Sequence, residues 1–108
     1  MKYTVLMGFL AERELNKIDH YISNDLMAPI AAQRIVAEIK AAVLSLDEMP
    51  YRYPEVDAEI IGIPGIRKCV IENYIAFYRV RESDKTVHIL RLLYGMRDWQ
   101  TFLRDTSD

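Results

Sequence analysis

Among the side chains between residues 67 and 97 that could hold an anion or move a proton, seven stand out: Arg67, Lys68, Arg79, Arg81, Arg91, Tyr94 and Arg97. Arg79, Arg81 and Arg91 sit inside two β-prone runs, "NYIAFYRV" and "TVHILRLLYG". A guanidinium is a planar fork of donors matched to carboxylate and phosphate. Strands that carry it either border solvent or line a surface for something anionic. Other reactive types are sparse. His20, His88 and Cys69 are too scattered to give a metal-ligand spacing. The four glycines form no phosphate-cradling loop. Neither cofactor nor metal is expected. Glu72 is the one strand carboxylate that could serve as a base, and His88 reads as a packed or surface histidine. His20 points away from the basic cluster. Cys69, alone and mid-strand, reads as a buried, inert thiol in a reducing cytoplasm.

The charge is unevenly spread. Residues 1–65 carry six bases and ten acids, and residues 66–104 carry eight bases and four acids. The net of −2 therefore joins an acidic half to a basic one, a polarity suited to contact with charged partners. The 108 residues suit one domain spanning 1–108. No apolar run approaches the roughly 20 residues of a membrane span, and no signal peptide is read at the N-terminus. A cytoplasmic protein without a membrane partner is expected.

The elements that position these groups follow from periodicity. Residues 2–7 alternate and then turn apolar, as a strand entering a sheet does, and Gly8 ends it. Leu15, Ile18, Ile22 and Leu26 then recur at helical spacing, with Ala11 and Tyr21 beside them. Glu12 and Glu14 fall in the first turn, where the helix dipole favours acids. Pro29 opens a second helix with the stripe Ile35, Ile39, Ala42, Val43 and Leu46. So short a joint makes the two helices antiparallel. A proline-rich loop follows, then a short strand in "AEIIGI", a Pro64-Gly65 turn, and a longer strand. The two arginine-bearing runs pair as a hairpin across residues 82–85. The fold class is α+β. An N-terminal strand and an antiparallel two-helix hairpin pack on a three- to four-stranded, mainly antiparallel sheet, with a short C-terminal helix or tail.

Strict alternation puts Ile75, Phe77, Arg79 and Arg81 on one face, and Val87, Ile89, Arg91 and Leu93 on one face of the next strand. One sheet face packs on the helices. The other is expected to stay open as a mixed docking surface that includes Arg67, Arg79, Arg81, Arg91, Tyr94 and Arg97.

This plan, with "AERELNKIDHYI", "AAQRIVAEIKAAVLSLDEMP" and above all "GIRKCVIENYIAFYRVRESDKTVHILRLLYGMRDW", resembles the RelE/ParE superfamily of toxins from bacterial type II toxin–antitoxin modules. The long helical hairpin looks more like the ParE branch. The resemblance implies a cognate antitoxin partner, operator DNA contacted only indirectly through that antitoxin, and either DNA gyrase or the ribosome as target. Ribosome-dependent members cut messenger RNA with an arginine just after the Tyr of the Asn-Tyr motif; that position is Ile75 here. A histidine common before the last-strand glycine is Tyr94. Arg97 and Lys68 match retained basic positions, and a C-terminal tyrosine has no clear counterpart. Nuclease candidates are thus Arg97, Arg91, Tyr94 and Lys68. Cleavage at a 2′-hydroxyl needs a base, an acid and cations around the phosphorane, and Tyr94 is a poor base near neutral pH. Three readings stand: a toxin that poisons gyrase by binding, a messenger-RNA endonuclease with a rearranged site, and a decayed toxin that only binds its antitoxin in operator repression.

Overall fold

The computed structural model describes residues 2–96 and 98–104. Strand β1 (Thr4–Met7) leads through Gly8 into helix α1 (Phe9–His20), which closes in a wider π-turn at Tyr21–Asp25. Helix α2 (Pro29–Leu44) returns antiparallel, with proline at its start as expected. After a loop come a single helical turn α3 (Ala58–Ile61) and strands β2 (Ile66–Ile71), β3 (Tyr74–Arg81) and β4 (Thr86–Tyr94). The short helix α4 (Trp99–Arg104) follows. The sheet order is β1-β4-β3-β2, antiparallel except for β1, which runs parallel to β4. Gly8 makes the β1–α1 corner possible. Its N–H donates to the Ile89 carbonyl at 2.8 Å, and a Cβ there would lie 2.6 Å from that oxygen.

The helical stripes do what their spacing requires. Ala11, Leu15, Ile39, Val43 and Leu46 are buried against Cys69, Ala76, Tyr78, Val87, Ile89 and Leu92. Tyr78 is wholly enclosed, and its hydroxyl donates to the Pro50 carbonyl at 2.6 Å. The Cys69 thiol is buried as expected, and burial pushes its pKa up.

Three expectations are corrected. First, "AEIIGI" makes no strand. Asp57 caps a helical turn by accepting from the Glu59 N–H at 2.8 Å, and Gly62 ends it at φ 76°. Second, the sheet's other face is not left open. Ile66, Ile75, Phe77, Leu90 and Leu93 form a second core with Val56, Ile61 and Leu103, and Ile63, Trp99 and Phe102 close over it. The chain gets there by wrapping the β2 edge: Val56 N–H bonds to Ile66 O and Lys68 N–H to Pro54 O. Third, alternation slips in β4. Tyr78 pairs with Ile89 but Phe77 with Arg91, so Leu90 is the extra residue of a bulge. Arg91 therefore shares the face of Phe77, not that of Val87 and Ile89.

The hairpin turn is fastened to the helix side by one carboxylate. Glu82 accepts from the hydroxyls of Tyr3 and Tyr51 and from the Lys85 ammonium. Lys85 first, then Tyr3 and Tyr51, hold its pKa down at about 2. A depressed carboxylate adds stability above its unfolded pKa and loses it as pH falls through the folded value.

Two predictions follow from this packing. Phe77→Ala should cost about 3–5 kcal/mol in denaturant unfolding, because the second core is a packed one. The gap in melting temperature between wild type and Glu82→Gln should narrow as pH is lowered from about 7 to about 3. A constant gap would remove Glu82 from the linkage.

Candidate functional site

The sequence-derived site residues are not assembled into one basin. Lys68, Phe77 and Arg91 form a single row across β2, β3 and β4, so the two candidate cations flank an aromatic ring. Trp99 lies on Phe77 with centroids 5.4 Å apart, and Lys68 Nζ sits 5.8 Å from the Trp99 ring. The Phe102 ring lies 5.5 Å from the Arg91 guanidinium. Aromatic side chains thus plug the space between and above the cations. Ile75 is buried in the same cluster at 8% exposure.

Arg91 is also buried at 8%. Its Nε and Nη2 donate to the Glu14 carboxylate at 3.0 and 2.6 Å, and Nη1 donates to the Phe102 carbonyl at 3.0 Å. Glu14 also accepts from the Leu92 N–H at 2.9 Å. The sequence reading assigned Glu14 only to the helix dipole. Its real partners lie 77 and 78 residues away, and local spacing carries no sign of them.

The remaining candidates have separate surroundings. Arg67 donates to the Tyr51 and Tyr53 carbonyls at 3.2 and 2.6 Å and lies over the Tyr51 ring, which fixes the loop before α3. Arg79 stands opposite Ile66 and His88, two residues along β3 from Phe77. Arg81 is exposed and paired with Asp84 at 3.0 Å. Tyr94 is partly exposed and packs edge-on against Tyr74 at 5.8 Å. Glu72, the candidate base, is held in its ionised form by Arg34 at 2.9 Å, outside the Lys68 row. Arg97 lies outside the described residues. Among the described residues no cluster of His, Cys, Asp and Glu could hold a metal, and no helix is long and apolar enough to cross a membrane.

A second feature was not anticipated. An apolar groove of about 300 Å³ runs between β1 and the helical hairpin. Val5, Met7, Leu15, Val43 and Leu44 line it, with Glu12 and Lys40. The outer edge of β1 borders it and pairs with no other strand.

A helical hairpin on a sheet of order β1-β4-β3-β2 is an arrangement shared with known proteins. Residues 10–99 match the family described as the ParE toxin of the type II toxin–antitoxin system, parDE. This chain belongs to that family. The chain is also similar to a chain of the chromosomal ParDE system from P. aeruginosa, with 26% identity over 86% of this chain and 96% of that one, at a TM-score of 0.68. A chain of the RelBE2 toxin–antitoxin complex from Mycobacterium tuberculosis gives 25% identity over 87% and 99%, at 0.66. A mutant E. coli toxin RelE in the free state shares the fold at 15% identity over 96% and 95%, at 0.64. Among curated proteins no sequence matches. The chain is thus a RelE/ParE-superfamily toxin of a type II toxin–antitoxin module.

Breaking a largely buried ion pair by removing one partner costs about 3–5 kcal/mol. Arg91→Ala and Glu14→Ala should each lose stability on that order in chemical denaturation. Arg81→Ala, at an exposed pair, should change it by less than about 1 kcal/mol.

Proposed function

We propose that this toxin acts by binding a protein target, DNA gyrase, rather than by cutting RNA, and that a cognate antitoxin neutralises it in the cytoplasm. The observation that carries the first half is the aromatic plug. A phosphorane needs cations and proton donors at bonding distance. Here Phe77 stands between Lys68 and Arg91 with Trp99 on its ring, and the buried Ile75–Leu93 pair lies in the same apolar cluster. Arg91 donates to Glu14 and the Phe102 carbonyl. Losing one such contact costs about a hundred- to a thousandfold in rate. The choice of gyrase rests on likeness to the ParE branch.

The groove beside β1 supports the second half. An antitoxin segment lying there as a helix could bury apolar side chains on Val5, Met7, Val43 and Leu44. Continued as a strand, it would pair with the open β1 edge. Glu12 and Lys40 offer charge of both signs for registering it. Operator DNA would be reached only through that antitoxin.

Expression without antitoxin should impair DNA supercoiling or cause double-strand breaks, while primer extension finds ribosome-bound messenger RNA uncut. Cleavage inside ribosome-occupied codons, abolished by Arg97→Ala, would put the endonuclease reading first. Ile75→Arg is a poor route to restored cleavage, because it drives a charge into a buried apolar cluster. For the antitoxin, Leu44→Glu should weaken the complex at micromolar concentration in size-exclusion chromatography, since Leu44 is exposed and contributes little to the core.

A further inference from the structure

The turn of the helical hairpin carries an apolar surface that none of the described residues covers. Tyr21 and Leu26 are about half exposed, while Met27 and Ile30 are 84% and 82% exposed. Isolated exposed apolar residues are ordinary, but a contiguous set marks a contact surface. Tyr94 extends it through Tyr74. Tyr74 packs edge-on against Tyr94 with ring centroids 5.8 Å apart, and burial first, then the phenols of Tyr94 and Tyr21, raise its pKa. The backbone is shaped here at a cost. Helix α1 ends in a π-turn, and Met27 takes φ 53°, a left-handed conformation easier for glycine. That strain holds outward a side chain that packs on almost nothing, a combination expected where binding uses it.

The charge around the tip selects its occupant. Residues 19–38 together with Glu72 hold four carboxylates, Asp19, Asp25, Glu38 and Glu72, against one guanidinium, Arg34. Arg34 is already held by Glu38 and Glu72. A second copy docking here across a two-fold axis would bring acids against acids. The groove beside β1 lies at the other end of the hairpin, on Glu12 and Leu15 of α1 and Lys40 to Leu44 of α2. We propose that the hairpin tip is a second docking site, for a segment of a partner protein that bears apolar anchors flanked by lysine or arginine. It is independent of which target the toxin poisons, and it leaves the groove free.

The test uses the full chain and two amphipathic helical peptides, one of leucine and lysine, the other of leucine and glutamate. Methionine methyl NMR follows both titrations. The lysine peptide should shift the Met27 methyl and the glutamate peptide should not, while Met7 reports separately on the groove. Met27→Gly removes the side chain and relieves the backbone, so melting temperature should hold or rise while lysine-peptide affinity falls by about tenfold. Equal Met27 shifts from both peptides, unchanged affinity in Met27→Gly, or a dimer lost in Met27→Gly would each overturn the proposal, whereas a response at Met7 reports the groove and not the tip.

Discussion

The ion pair between Glu14 and Arg91 is the contact on which both layers of this protein depend. Strand β1 has four residues and stops at Met7, whereas β4 continues to Tyr94. Past Ile89 the β4 edge has no strand partner on the β1 side. A bare N–H at a part-buried edge is costly. Glu14 resolves this by accepting the Leu92 N–H, but it brings a charge into a site that is only 16% exposed. Arg91 offsets that charge with a two-pronged bond and has a further donor on Nη1. That donor takes the Phe102 carbonyl, at the C-terminal end of α4, where a helix cannot satisfy its own acceptors. One network thus joins the helical layer, the sheet edge and the cover of the second face. Arg104 repeats the device by donating to the Ile60 carbonyl at the end of α3.

What was legible in the sequence follows the range of the interactions involved. Apart from α3, the order of elements, the helical stripes as far as Ile22 and the hairpin turn come from spacing within a few residues and stand where expected. Leu26, read as the end of the first stripe, instead lies beyond α1 and is about half exposed. The turn at α3 also had a local signal. Asp57 and Gly62 bracket "AEII" as a cap and a stop, but the β-branched pair Ile60-Ile61 pointed to a strand. The bulge at Leu90 had no such signal. Every residue from Thr86 to Leu93 suits a strand, so nothing in the run says where the extra residue falls. Arg91 changed faces as a result, and with it the reading of a basic open surface. Glu14 was illegible for a deeper reason: its partners are distant in sequence, and a helix-dipole role explained an acid at that position equally well.

The two faces of the sheet differ in how they are closed. On one, two full helices supply long apolar stripes. On the other, a four-residue turn and a six-residue helix do so, and neither is long enough to be stable alone. They hold because Trp99, Phe102 and Leu103 deliver large apolar side chains, and because arginines bond the carbonyls that such short helices leave over. Arg67 does the same for the loop that leads there. Most arginines that looked like a reception surface for anions are therefore consumed by the fold's own carbonyls and carboxylates. Their positions inside strands follow from this, since a guanidinium at a strand end can reach the neighbouring layer while its stem packs on the sheet.

A sheet face cannot be both a packed core and a basin for a reacting phosphate. Phe77 stands between Lys68 and Arg91, with Trp99 on its ring and Phe102 beside the Arg91 guanidinium, and this filling is what favours the proposed binding role over cleavage. Such a filling also stiffens the centre of the molecule. Uncovered apolar side chains stand at the perimeter, among them Leu44 beside the outer edge of β1, and Met27 and Ile30 at the far end of the same hairpin. The two helices act as a strut between these sites. Since α1 and α2 each pass from one to the other, a ligand at either end meets elements already fixed by the same core. On the proposals above, the two ends would be occupied independently.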